Sequence, residues 1–264
     1  MPKTRFVDVR RFESIDSTNR YLLDEARAGG REGIVAVADH QTAGRGRLGR
    51  SWEAPAGANL LLSVLLRPAI ESGERHLTTT TVALAALDAI GVVDPGAARK
   101  VSIKWPNDLV EWSGRKLAGV LAESDLSSAS AATGPPPPVV VGIGINVNWP
   151  ATDAELPPEL VGTAVSLCQI VGAPVDREAL LSALLTSLEP RVADLDTSEG
   201  RVRLAEELVS RCTTIGTRVR VDLPDGSFEG TATGINPDGH LVVATGGATR
   251  TVVAGDVVHV RTMT

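Results

Sequence analysis

Short apolar runs alternate with glycine-rich breaks along the first part of the chain, a pattern that predicts a β-sheet. Each predicted strand is a compact run of aliphatic residues, and there are runs of this kind at 34–38, 59–66, 101–104, 109–112, 117–123 and 139–146. Ser113-Gly114 is a typical turn sequence, so the two strands that flank it are predicted to form a hairpin.

Helices are predicted where apolar residues recur every three or four positions. The first follows the polar segment Asp16-Ser17-Thr18-Asn19, which can cap a helix, and Gly29-Gly30 ends it. Three further helices are predicted, the second of them capped by Asp176, at 77–90, 177–188 and 202–209.

The pattern changes after Cys212 to short strands separated by turns. Turn sequences such as Pro224-Asp225-Gly226 and Gly246-Gly247 divide this part of the chain. The strands between them are predicted at 219–223, 228–235, 241–244, 249–253 and 257–260. We therefore expect an α+β fold, in which a mixed β-sheet packed with helices (1–212) is followed by a small β-barrel (213–264).

Composition restricts the class of protein. Of the 264 residues, 43% are hydrophobic and 22% are charged, which is typical of a globular protein, and the net charge of −6 argues against general nucleic-acid binding. Cys168 and Cys212 lack metal-site spacing and are predicted to be buried apolar side chains. We see no N-terminal signal segment and no run near the roughly 18 apolar residues of a membrane span, which favours a soluble cytoplasmic protein.

The segment 127–138 is rich in serine, alanine and proline and contains few residues that could build a core. It is predicted to be a mobile surface loop.

The segment from Gln41 to Trp52 joins two predicted strands and interleaves glycines with Arg45, Arg47 and Arg50. Glycines let the backbone approach a ligand closely, and guanidinium groups bind phosphate through paired hydrogen bonds. The segment is therefore a candidate anion-binding loop, although a solvated turn of the same composition is equally compatible with it.

Two further segments place charged residues at strand ends. In Lys104-Trp105-Pro106-Asn107-Asp108 the proline fixes a turn, which would hold the polar side chains at the mouth of a sheet. In 114–119 Lys116 opens a strand, and Gly119 leaves space beside it. Taken alone, the first could be a structural turn with Trp105 in the core, and the second a charged edge strand.

Taken in order, five segments resemble the catalytic domain of biotin–protein ligases. They are Asp16 to Asn19, Gln41 to Trp52, Lys104 to Asp108, 114–119 and Gly142-Ile143-Gly144-Ile145-Asn146-Val147-Asn148. The resemblance covers roughly residues 10–260, because this family also has a small SH3-like barrel after its class II synthetase-like catalytic domain.

The resemblance implies an enzyme that activates biotin with ATP and Mg²⁺ to biotinyl-5'-AMP, releases pyrophosphate, and transfers biotin to a lysine of a biotin carboxyl carrier domain. It implies catalytic roles for Lys116, Arg45 and Asp108. The implied biotin-binding residues are Ser17, Thr18, Asn19, Gln41, Gly44, Arg45, Gly46, Arg47, Trp52, Lys116 and Gly119. The implied nucleotide-binding residues are Arg45, Arg47, Arg50, Trp52, Lys104, Asn107, Lys116, Gly144 and Asn146, and no protein metal site is expected.

Some members of the family begin with a DNA-binding domain, for which the few residues before Asp16 leave no room. We therefore expect a ligase without direct transcriptional activity. It is expected to bind neither nucleic acid nor membrane, and to exist as a monomer or weak homodimer. Two alternatives remain. A lipoate–protein ligase shares the fold but has an Arg-Arg and triple-Gly motif that is missing here. A non-catalytic biotin-sensing or carrier-binding module would be expected to have lost residues such as Arg45 and Lys116, which are present.

Overall fold

The structure, a computed structural model, describes residues 4–124, 137–223, 226–253 and 256–259. They form a seven-stranded sheet with helices on both faces and a five-stranded antiparallel sheet nearer the C-terminus. Most of the predicted loop 127–138 lies outside the described residues. The α+β class and the order of a large mixed sheet before a small barrel are confirmed.

The large sheet has the strand order β1-β2-β3-β7-β6-β5-β4. Only β1 and β2 pair in parallel, and the other neighbours are antiparallel. The strand bounds are β1 Asp8–Ile15, β2 Ile34–Gln41, β3 Leu60–Leu66, β4 Val101–Lys104, β5 Asp108–Glu111, β6 Lys116–Glu123 and β7 Val139–Ile145.

Helices cover both faces of this sheet and have the bounds α1 Thr18–Arg27, α2 His76–Val93, α3 Pro95–Ala98, α4 Leu167–Val171, α5 Arg177–Leu195 and α6 Ser198–Arg211. On one face, Leu22 and Ala26 of α1 pack against Ala36 of β2. On the other face, α2, α5 and α6 form the main core with Val35 and Val37 of β2. Successive residues of β2 point to opposite faces, so one strand serves both layers.

One expectation about apolar segments was wrong. Within the described ranges, Ser72–Val93 is long and apolar enough, by length and composition, to cross a membrane. Of the qualifying 18-residue window, 67% is buried inside the protein, where α2 packs on the sheet and on α5. Such burial is typical of the central core helix of a globular domain.

The second sheet contains β8 Arg218–Leu223, β9 Gly226–Ile235, β10 Leu241–Thr245, β11 Ala248–Val252 and β12 Asp256–His259, in the order β11-β10-β9-β8-β12. Alternate residues such as Val219 and Val221 point into a small core of its own. Trp105, from the first sheet's β4–β5 turn, lies in that core as well. The division that we propose between 212 and 213 falls between α6 and β8.

Every predicted strand and helix is present, with ends that differ by a few residues. The helix predicted to end at 188 continues to Leu195, and β1 and α3 were not predicted. Cys212 is buried as predicted, whereas Cys168 is only partly buried.

Candidate active site

A cavity of about 310 Å³ lies where the loop after β2, the start of α1 and the strands β5, β6 and β7 converge. Two residues of the second sheet also line it. Its lining comprises Ser17, Thr18, Asn19, Gln41, Arg45, Gly46, Arg47, Arg50, Ser51, Trp52, Leu62, Ser63, Lys104, Trp105, Pro106, Asn107, Asp108, Lys116, Gly119, Val120, Leu121, Gly142, Ile143, Gly144, Asp222 and Val257.

One end of the cavity is a buried hydrogen-bond network at the start of α1. Ser17 caps the helix, its hydroxyl accepting from the backbone N–H of Arg20, and this places Thr18 and Asn19 in the first turn. The Thr18 backbone N–H donates to Oε1 of Gln41 over 2.8 Å, and the Thr18 hydroxyl lies 2.7 Å from that of Ser63. These polar groups are already paired within the protein, so the network is held rigidly before any ligand binds.

Asn19 extends this network to a carboxylate at the end of β6. Its Oδ1 accepts from the Ser63 hydroxyl over 2.6 Å, and its Nδ2 donates to Oε2 of Glu123 over 2.8 Å and to the Leu121 carbonyl over 3.2 Å. The other carboxylate oxygen of Glu123 lies 3.1 Å from Nη1 of Arg45. Glu123 therefore contacts both the buried network and the arginine-rich loop.

The loop that follows β2 is folded back on itself as a small closed turn. Arg45 and Ser51 form an antiparallel bridge, and the Gly46 backbone N–H donates to the Arg50 carbonyl over 2.6 Å. The Trp52 backbone N–H donates to the Gly44 carbonyl over 2.9 Å. This turn places three arginine side chains and the Trp52 indole along one cavity wall.

Lys116 and Asp108 form a charged pair in the cavity lining, beside Trp52. Nζ of Lys116 lies 2.7 Å from Oδ1 of Asp108, and 5.4 Å from the centre of the Trp52 ring. The two residues lie on neighbouring antiparallel strands, β5 and β6, near a register shift between Leu109 and Val110. The sheet therefore brings together two residues that the sequence places eight positions apart.

Asn107 fixes the turn before Asp108. Its Nδ2 donates to the Val120 carbonyl over 2.6 Å, and its Oδ1 accepts from Nη1 of Arg47 over 3.3 Å. Arg47 is thus linked to the motif that contains the catalytic candidates.

The cavity lining is strongly cationic. Five lining residues carry a positive charge: Arg45, Arg47, Arg50, Lys104 and Lys116. Only two lining residues, Asp108 and Asp222, carry a carboxylate. An excess of guanidinium and ammonium groups in a partly enclosed site attracts anionic ligands. The part of the chain that the structure describes contains no group of three His, Cys, Asp or Glu side chains arranged to hold a metal ion.

All the predicted site residues line this cavity except Gly44 and Asn146. Gly44 belongs to the backbone of the closed turn, beneath Trp52. Asn146 is buried beside the cavity, and its Nδ2 donates to the backbone carbonyls of Lys116, over 3.4 Å, and Val165. Its predicted nucleotide contact would thus have to act through the Lys116 backbone.

Several site residues were missed by the sequence analysis. Ser63 is the one polar residue in the apolar strand β3, and a buried hydroxyl in such a strand was a signal that could have identified it. Glu123 at the end of β6 had no local signal, nor did Asp222 and Val257, which reach the cavity only because the second sheet packs against it.

Residues 11–146 match the Biotin/lipoate A/B protein ligase family, and residues 214–260 match the Biotin protein ligase C terminal domain. The chain is 39% identical over 251 residues to the biotin–[acetyl-CoA-carboxylase] ligase of Mycobacterium tuberculosis, covering 93% of this chain and 86% of that relative. It is 33% identical to the enzyme of the same name from Paracoccus denitrificans, covering 86% of this chain and 90% of the relative.

Solved structures show the same similarity. A biotin protein ligase from Aquifex aeolicus in complex with biotin and ATP superposes with a TM-score of 0.77 at 26% identity, over 97% of this chain and all of that one. A Leishmania major biotin protein ligase in complex with biotinyl-5-AMP has a TM-score of 0.60 at 26% identity, over 94% of this chain and 99% of that one.

Proposed function

Because the chain belongs to the biotin/lipoate A/B protein ligase family and is a biotin–protein ligase, we propose that it works in two steps within one cavity. In the first step biotin and ATP give biotinyl-5'-AMP and pyrophosphate. In the second, biotin passes to a lysine of a biotin carboxyl carrier domain and AMP leaves. The observation that supports this most is the convergence of five cationic side chains and a buried polar network on a single cavity.

In the first step a carboxylate oxygen of biotin attacks the α-phosphorus of ATP, and the bond to the pyrophosphate leaving group breaks. Both reactants are anions, so their repulsion must be offset before they can approach. Lys116 and Arg45 both line the cavity and would contact the carboxylate and the α-phosphate together. Arg47, Arg50 and Lys104 would bind the remaining phosphates, with Asn107 holding Arg47 in place.

The network at the start of α1 is suited to the ureido head of biotin. Thr18, Asn19 and Ser63 are buried polar residues that line the cavity, with Gln41 beside them. Their oxygens can accept further hydrogen bonds beyond those made inside the protein, and a ligand without matching donors would bury that capacity unused, which costs binding free energy and gives selectivity. We place the biotin head here and its carboxylate tail toward Lys116, between Trp52 and Gly119.

In the second step the carrier amine attacks the activated carbonyl, the bond to the AMP oxygen breaks, and the amine loses a proton. Asp108 is the carboxylate placed to orient the amine or accept that proton. Its 2.7 Å ion pair with Lys116 supports this role, since Lys116 is the group that would contact the carboxylate and the α-phosphate. Trp52 would shield the mixed anhydride from water.

The remaining proposals concern the surroundings of the reaction. Magnesium would enter with ATP, held by phosphates and water, as this ion usually is. Adenylate binding would extend to Gly144, where Trp52 packs, with Asn146 acting through the backbone of Lys116. We further propose a cytoplasmic enzyme that is a monomer or weak homodimer.

The decisive assay measures pyrophosphate release from ATP and magnesium with biotin or lipoate. We expect release with biotin, and about a 10²-fold lower turnover for Lys116→Ala, the usual cost of removing one electrostatic stabiliser. Arg203→Ala, on the exposed face of α6, removes one positive charge far from the cavity and should match the wild type. Release with lipoate alone would assign the chain to the lipoate branch, and biotin binding without release would make it a non-catalytic module.

A further inference from the structure

We propose that Glu123 is a positioning residue, which sets the hydrogen-bond direction of the ureido pocket and holds Arg45 over the cavity. The inference rests on the proposed function, since it concerns how the same site is prepared for biotin and ATP. Glu123 does not line the cavity, whereas both of its partners, Asn19 and Arg45, do.

Its placement behind the wall distinguishes Glu123 from the groups that would touch substrate. It ends β6, its side chain is 24% exposed, and each carboxylate oxygen has a different partner. Oε2 accepts from Asn19 over 2.8 Å, and Oε1 lies 3.1 Å from the Arg45 guanidinium. One side chain thus links the proposed biotin and phosphate subsites.

The acceptor oxygen of Glu123, together with the Leu121 carbonyl, determines which way the buried network points. A carboxylate only accepts hydrogen bonds, so Asn19 must turn Nδ2 toward Glu123 and the Leu121 carbonyl, and Oδ1 toward Ser63. Ser63 then donates to Asn19, so in its 2.7 Å contact with Thr18 the Ser63 oxygen accepts, and the single Thr18 hydroxyl hydrogen is shared between Ser63 and Oε1 of Gln41, 3.0 Å away. The side-chain oxygens of Ser63 and Asn19, two residues that line the cavity, are left with acceptor capacity, which suits N–H donors such as those of a ureido ring.

The second contact restrains the arginine. The closed turn holds the Arg45 backbone, but its side chain is 45% exposed, and Glu123 is the carboxylate that pairs with its guanidinium. An ion pair at Nη1 of the guanidinium limits the directions that its remaining N–H groups can take. Phosphate would then meet an arginine already near its working position, and misplacement of such a group by about 1 Å can cost a large factor in rate.

Two substitutions separate the two contacts. Glu123→Gln keeps an amide oxygen that can accept from Asn19 but removes the charge that pairs with Arg45. We expect it to raise KM for ATP about tenfold, while the affinity for biotin alone, measured by calorimetry, stays within about twofold. Glu123→Ala removes both contacts and should weaken biotin binding about tenfold as well.

A double-mutant cycle tests whether Glu123 acts through Arg45. Pyrophosphate release would be measured for wild type, Glu123→Gln, Arg45→Gln and the double variant, with Glu206→Gln on exposed α6 as the matched charge control. If the proposal is correct, Glu123→Gln changes kcat/KM for ATP by less than about twofold once Arg45 is already replaced, and the control matches wild type.

Three outcomes would overturn the positioning role: full additivity in the cycle, an unchanged KM for ATP in Glu123→Gln, or equal losses toward biotin and ATP in that variant. The last would indicate a merely structural residue. A wild-type protein that releases no pyrophosphate with biotin would instead contradict the proposed function, so the two failures are distinguishable.

Discussion

At the scale of single residues, Gly144 is important because the absence of a side chain leaves room for the Trp52 indole. A methyl group added at this position would lie 2.6 Å from Cε2 and 2.7 Å from Nε1 of Trp52, closer than packed atoms approach. Gly119 on the neighbouring strand leaves similar room, with Nζ of Lys116 at 3.1 Å and the Trp52 ring at 3.2 Å. The two glycines together define the slot in which the indole and the ammonium lie.

Gly144→Ala should therefore displace Trp52 and impair the site without unfolding the sheet. We expect KM for biotin or ATP to rise about tenfold, because the indole closes the wall on which the reactants would pack. Steady-state pyrophosphate release measures this effect, and thermal unfolding shows whether the fold is intact. Gly234→Ala in β9 is the matched control, since a methyl group there meets nothing within 4 Å. Equal kinetics for the two variants would contradict the steric argument.

How far sequence predicts the site depends on where each partner lies. The Arg/Gly loop and the Lys104 to Asp108 motif stand out because their unusual residues are contiguous. Glu123 and Ser63 do not, because their roles depend on contacts with Asn19, 104 and 44 positions away. Strand register determines such contacts, and local composition does not encode it.

At the scale of elements, a charged cluster joins the three helices that cover the outer face of the sheet. Arg191 of α5 donates to Asp88 of α2 over 2.8 Å and to Glu207 of α6 through both terminal nitrogens. Hydrogen bonds from Arg191 lower the pKa of Glu207, and they outweigh the opposing effect of its burial. The same bonds raise the pKa of Arg191 further above its usual range, so it stays charged.

Glu207→Gln should lower the free energy of unfolding near pH 7 by about 1 kcal/mol, a value reduced by solvent screening of the pair. Because the folded-state pKa is depressed, the contribution of the carboxylate is complete above its ordinary pKa of 4.5 and is lost as the pH falls through the folded-state value. Thermal unfolding of variant and wild type should therefore converge as the pH is lowered from 6 to about 3.5. Glu206→Gln, exposed on the same helix, should unfold like the wild type at every pH. A difference between Glu207→Gln and wild type that stayed constant with pH would show that protonation of Glu207 does not contribute to stability.

Two differences between the predicted and observed elements, the strand β1 and the C-terminal end of α5, have physical explanations. β1 contains few apolar residues and lies at the edge of the sheet, so its only strand partner there is β2 and its pattern resembles a surface segment. The α5 helix continues past Pro190, although proline in a helix interior costs roughly 3 kcal/mol. The buried residues Leu188, Val192 and Leu195 lie on both sides of that proline, and their packing offsets the cost.

At the scale of the whole molecule, the small second sheet takes part in the site, and Trp105 is one of the residues that join the two. Trp105 immediately precedes the Pro106-Asn107-Asp108 segment of the cavity wall, yet its ring lies in the core of the second sheet. Its backbone N–H donates to the Thr214 hydroxyl and its Nε1 to the Gly239 carbonyl, each over 3.0 Å. A change in how the second sheet packs would be transmitted directly to Asn107 and Asp108.

Trp105→Phe tests this coupling, since it keeps most of the ring but removes the donor to Gly239. Loss of this part-buried hydrogen bond, together with the smaller ring in the core of the second sheet, should cost about 1–3 kcal/mol of unfolding free energy. If the indole also holds the catalytic turn, kcat for biotin transfer should fall about tenfold at saturating substrates. Trp112→Phe is the matched control, because Trp112 is 78% exposed, and it should change neither property. Reduced stability with unchanged kcat would mean that the second sheet supports the fold through Trp105 but does not position the turn that bears Asp108.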